Sequence, residues 1–115
     1  MADYDLWSEI QSKTRQLDYS VKELRKSGTA YAEAERAYKI KLRETALRLR
    51  SQDMAVGMIS MTVYGVPEVA ELRFKRDCCE AVYKANIEAI NAIKLEIRII
   101  NEQLSREWTT PQAGM

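Results

Sequence analysis

The sequence predicts an all-α fold: a long antiparallel helical hairpin with a short connecting helix, assembled into an oligomeric bundle. Three observations predict it. Apolar residues recur every seven positions in two long segments, a charge-free stretch of turn-forming residues lies between those segments, and only one run has strand character. The single segment with strand character, MISMTVY at 58–64, has nothing to pair with.

The first helix is expected over about 3–50. Ile10, Leu17, Leu24, Tyr31 and Tyr38 form one seven-residue row, and Trp7, Thr14 and Val21 a second, three positions earlier. Asp3 or Asp5 suits the start, where free amides and the positive dipole end meet a carboxylate. In KSGTA, basic Lys22, Arg25 and Lys26 precede Gly28, and Ser27 or Thr29 can cap a new start. A kink or short break is therefore expected near 27–29. An uninterrupted helix stays open, because one glycine costs only about 1 kcal/mol.

The stretch MAVGMISMTVYGVP, residues 54–67, contains no charge although charged residues make up 30% of the chain. A short helix is expected over about 53–64, started by Gln52 or Asp53 and ended by Gly65. The last helix is expected over about 67–108, with Pro67 in its first turn and Glu68 and Glu71 at its positive end. Val69, Tyr83, Ile90, Ile97 and Leu104 make one row, and Leu72, Cys79, Ile93 and Ile100 its partner. Arg76 and Asn86 fall in the same rows, where polar groups set pairing or register at a cost in stability. Residues 1–108 read as one domain, and 109–115 as a flexible tail.

A helix of roughly 40 residues would be about 60 Å long, more than a chain of this size can wrap. Ile87, Leu95 and Ile99 in the second segment, and Ile40 and Leu47 in the first, lie off the main seams. Such extra stripes call for a third helix or another subunit, so a homo-oligomer is expected.

Function classes narrow by composition. Net charge is +1, so no global field draws the chain to nucleic acid or membrane. There is no apolar run long enough to span a bilayer and no secretory signal, so the cytoplasm is the expected compartment. Histidine is absent, which removes the commonest general base and transition-metal ligand. The adjacent Cys78 and Cys79 read as a reduced pair. No phosphate loop, catalytic triad or metal-spaced cluster is present, and no catalytic, cofactor or metal residue is expected.

Two candidate surfaces remain. Residues 36–50, RAYKIKLRETALRLR, hold six basic residues and one acid, Glu44. Helical spacing places Arg36, Lys39, Arg43 and Arg50 on one stripe that could follow the phosphates of a nucleic acid or nucleotide. Alternatively these side chains flank the seam or pair with Glu80, Glu88 and Glu96. The second surface is the uncharged corner, where Met54, Met58, Met61 and Tyr64 offer an adaptable face to a protein partner or close the end of the hairpin as core. Tyr31, Tyr38 and Tyr83 are expected to cluster, with hydroxyls at the edge.

In YAEAERAYKIKL (31–42) and VAELRFKRDCCEAVYKANIEAINAIKLEIRIINEQLSREW (69–108), the chain resembles small all-helical proteins encoded by phages and prophages of Gram-positive bacteria. That resemblance implies a phage accessory role in the host cytosol, either in phage DNA metabolism or against a host defence. It implies binding to a host or phage protein and carries over no site residue. The expected function is a non-enzymatic accessory acting by occlusion or scaffolding. The alternative is a helical module that binds nucleic acid or nucleotide through the basic stripe.

Overall fold

The structure, a computed structural model, describes the backbone of residues 2–113 and the side chains of residues 5–108. Among the described residues three α-helices follow in order: α1 (Ala2–Ser51), α2 (Val56–Thr62) and α3 (Pro67–Ala113), with one 3₁₀ turn at Val63–Gly65 between α2 and α3. No strand occurs among the described residues. The fold is the all-α helical hairpin expected, and no helix is long and apolar enough to cross a membrane among the described residues. Contacts divide the chain into two compact units, residues 26–84 and residues 1–25 with 85–115.

In the unit formed by 26–84, α1 and α3 run antiparallel. Gly28 meets Tyr83, Tyr31 meets Glu80, and Glu35 meets Arg76. The buried residues of α1 here are Ser27, Ala34, Tyr38, Thr45 and Leu49, and those beyond it are Val63 and Val69, the last fully enclosed. Ser27, Tyr38 and Leu49 are eleven residues apart, as are Ala34 and Thr45. Eleven residues in three turns is close to the natural period of a straight α-helix. Three of these five positions carry small side chains.

The expected break at 27–29 does not form. Gly28 lies inside the continuous α1, and a Cβ built there would stand 3.2 Å from Cε1 of Tyr83. The glycine makes room for an aromatic ring instead of ending a helix. Its cost in propensity, about 1 kcal/mol, is set against the packing it permits.

The helix ends at a different residue. Asp53 has φ 65°, the left-handed conformation. The amide of Asp53 donates to the carbonyl of Arg50 at 3.1 Å, and that of Met54 to the carbonyl of Leu49 at 3.2 Å. This bond pair is a Schellman cap, usually built on glycine. Asp53 therefore closes α1 and does not start the next helix. Helix α2 begins instead after Ala55, whose carbonyl accepts the amides of Met58 and Ile59 at 2.9 and 3.0 Å. Val66 is extended (φ −65°, ψ 127°), as a residue before proline prefers, and Pro67 opens α3 as expected.

In the unit formed by 1–25 with 85–115, Ile10, Leu17 and Leu24 are half-buried as expected, as are Ile93 and Ile97 on α3, while Ile90 and Ile100 are buried. Asn86 Nδ2 donates to the Glu23 carbonyl at 3.3 Å, which gives this polar seam residue a partner on α1. The second α1 row holds at Val21, which is half-buried, and is corrected at its other two positions. Trp7 is 56% exposed and Thr14 is exposed, its hydroxyl donating back to the Ile10 carbonyl at 2.8 Å. Lys13, one position earlier, is half-buried and reaches across to Glu96 at 2.7 Å. Asp5 stands within α1 and not at its cap, and the Asp3 side chain lies outside the described residues. Helix α3 continues to Ala113, past the end expected at 108, and the last two positions of the expected tail lie outside the described residues.

Two stability measurements follow. Asp53→Gly removes the left-handed penalty and is expected to stabilise the fold by about 0.5–1 kcal/mol in a denaturant titration; a lower midpoint would contradict the cap. Gly28→Ala is expected to yield less than the roughly 1 kcal/mol of an open helical site, and to recover that full gain in a Tyr83→Ala background. Equal gains in both backgrounds would mean the ring does not limit the site.

Candidate functional site

The end of α1 and the corner that follows it enclose an open groove of about 610 Å³, wholly within the 26–84 unit. From α1 come Lys39, Leu42, Arg43, Ala46, Leu47 and Arg50. From α2 and the 3₁₀ turn come Val56, Ile59, Ser60, Val63 and Tyr64. The volume lies in the range of small-ligand and side-chain pockets. The lining is apolar along its length, with cationic groups on the α1 side.

Local sequence explains each wall. Leu42 and Ala46 border the buried seam of α1, while Leu47 points off it and is 58% exposed. Val63 is buried and anchors the corner, so Val56 and Tyr64 are left at the surface. The Arg73 guanidinium lies 5.3 Å from the Tyr64 ring centroid and backs that wall. The Ser60 hydroxyl donates to the Gly57 carbonyl at 3.1 Å.

The structure brings together parts of both surfaces expected from sequence. Lys39, Arg43 and Arg50 line the groove, and Tyr64 faces them. Arg36 is exposed on α1, outside the groove. Met54 is half-buried, and Met58 and Met61 are exposed, but none of these three lines the groove. The lining residues absent from the expected sites are chiefly Leu42, Ala46, Val56 and Val63. Leu47 carried a signal in the sequence, as an apolar residue off the seam; the others depend on the direction α2 takes.

No basic residue of 36–50 pairs with Glu80, Glu88 or Glu96 among the described residues. Glu80 accepts the Tyr31 hydroxyl at 2.6 Å and holds Lys84 at 3.8 Å, and Glu96 holds Lys13. Within 36–50, Lys39 pairs with Glu35 at 3.8 Å and Lys41 with Glu68 at 4.0 Å. Arg36, Arg43 and Arg50 have no ion pair among the described residues.

A polar network crosses the seam in the same unit. Arg76 Nη1 donates to Glu35 Oε1 at 3.3 Å and Nε to Asp77 Oδ1 at 2.9 Å, while its guanidinium lies 4.7 Å from the Tyr38 ring centroid. Burial opposes the charge of Arg76, but Asp77 and Glu35 outweigh it and hold the pKa above the ordinary arginine value. Tyr31 and Tyr83 rings stand 5.8 Å apart at 35°, as the expected cluster requires, whereas Tyr38 joins Arg76. The hydrogen bond to Glu80 is the largest influence on the Tyr31 phenol; with burial and the nearby carboxylates it raises the pKa to about 12.

Chemically, the groove can bury apolar groups beside anions. No group of three or more potential metal ligands occurs among the described residues. Cys78 and Cys79 are both free. Comparison with protein families, with curated proteins and with solved structures finds no match to this chain.

The Tyr31 phenol gives a titration to measure. Its folded pKa is raised above the ordinary value of 10.0, so its contribution to stability is complete below pH 10 and is lost as pH rises through about 12. The tyrosinate absorbance of wild type minus that of Tyr31→Phe is expected to show one phenol titrating near 12. A midpoint near 10 would mean that Glu80 does not hold the hydroxyl.

Proposed function

We propose that this chain works by binding a protein through the groove and the adjoining outer face of α1. A single observation carries the reading: exposed apolar side chains and unpaired guanidinium groups converge on one concave surface. Isolated apolar residues on a surface need no explanation, but a concave cluster with charges at its edge does. Apolar anchors supply affinity and edge charges select the partner. The complementary surface is apolar and edged by carboxylates. The mode of action is non-enzymatic, by occlusion or scaffolding. The resemblance to small helical proteins of phages and prophages supports a phage accessory role, directed at a host factor or at phage DNA metabolism.

The unpaired Arg43 and Arg50 also favour a second reading, in which the groove takes a nucleic acid or nucleotide by its phosphates. The apolar floor weighs against it, because a phosphate backbone has little to bury there.

The test is native mass spectrometry of wild type and Leu47→Glu, isolated at low salt, followed by reconstitution from purified components. A polypeptide held by wild type is expected to bind the variant at least tenfold more weakly, since the substitution places a charge on the apolar floor. Bound nucleic acid or nucleotide, released steeply by salt, would replace this reading with the second.

A further inference from the structure

Two exposed stripes of this chain repeat one spacing with opposite charge. On α1, Arg36, Ile40, Arg43, Leu47 and Arg50 follow at steps of four, three, four and three residues, and all are exposed. On α3, Glu88, Ala92, Leu95, Ile99 and Glu102 follow at the same steps and are also exposed. Alternating steps of four and three are those of a coiled-coil seam. Each stripe is separate from the buried seam of its own helix. Arginine ends the first stripe at both limits, and glutamate ends the second. None of these four end residues has an ion pair among the described residues.

We propose that the outer stripe of α1 docks the outer stripe of α3 from a second copy of this chain, with the two helices parallel. In that register Arg36 lies opposite Glu88 of the second copy, and Arg50 opposite its Glu102. Leu47 faces Ile99 and forms the apolar layer at the groove. Ile40 faces Ala92, a large side chain against a small one. The stem of Arg43 covers Leu95 and its guanidinium reaches the edge. Charge complementarity and common spacing select this occupant. A nucleic acid would satisfy the arginines but leave Ile40 and Leu47 against phosphates.

The inference rests on the reading that the outer face of α1 binds protein, and it names the first partner. The two stripes are different surfaces, so the contact is heterologous. Reversing charge on one stripe then makes like meet like, while mixing the two reversed proteins restores opposite pairs.

The experiment uses the full chain and two double variants, Arg36→Glu with Arg50→Glu, and Glu88→Arg with Glu102→Arg. Masses are measured by sedimentation and native mass spectrometry, with circular dichroism confirming that each variant keeps its helix content. Wild type is expected at a multiple of 13.3 kDa. Each variant alone is expected to associate at least tenfold more weakly, and an equimolar mixture to regain association. Wild type remaining a single chain at about 100 μM, variants that associate like wild type, or a mixture that does not recover would each overturn the proposal; that concentration corresponds to only about −5.5 kcal/mol of binding. A single chain carrying a different protein on the α1 face would overturn the second copy and leave the protein-binding reading standing. Nucleic acid as the sole bound species would overturn both.

Discussion

A layer of two helices can hide only one stripe of each, and the remaining surface of this protein is a consequence of that constraint. In the 26–84 unit the hidden stripe of α1 is narrow. Ser27, Ala34 and Thr45 supply small side chains, and Gly28 admits the Tyr83 ring. Apolar residues elsewhere on the helices have nowhere to go but outward. Ile40 and Leu47 in this unit, and Leu95 and Ile99 in the other, are therefore exposed although their side chains belong to core-forming types.

Arg76 and Asn86 within the seam have partners, and this distinguishes them from Arg36, Arg43 and Arg50 on the outer face. Arg76 meets Glu35 and stacks on Tyr38, and Asn86 reaches the Glu23 carbonyl. A charge or amide buried alone would be costly, so each of these groups constrains which part of α1 can face α3. The register so fixed determines which side of α1 turns out. It leaves Arg36, Arg43 and Arg50 away from the acids of α3 that could have neutralised them.

Much of this architecture was legible in the residues. On α3, Val69, Ile90 and Ile100 are buried, and the other seam positions, Leu72 to Leu104, are half-buried, because a seven-residue repeat reports one face directly. Gly28 was not legible. Local propensity makes it a breaker, and only the ring on the opposing helix shows why it is tolerated within one. Asp53 failed for a related reason: aspartate suits a helix start, yet it also enters the left-handed conformation more readily than most side chains. The groove was legible in halves. Its cations and its uncharged corner were both evident, but their meeting depends on the fold-back after Asp53, which brings Val56, Ile59 and Tyr64 beside Arg43 and Arg50.

The alternation of arginine with isoleucine and leucine on α1 has a further physical meaning. A continuous apolar stripe would adhere to any exposed apolar surface, including unfolded chains. An arginine at every second seam position prevents that, because its charge must be matched or remain hydrated when the stripe is covered. A partner with apolar residues alone would leave Arg36 and Arg50 unmatched; a partner with carboxylates alone would forgo the burial of Ile40 and Leu47. Affinity thus requires both features at helical spacing, and the α3 stripe from Glu88 to Glu102 has both. In the proposed contact, the same pattern that would keep the exposed face of α1 from binding indiscriminately would also specify its partner.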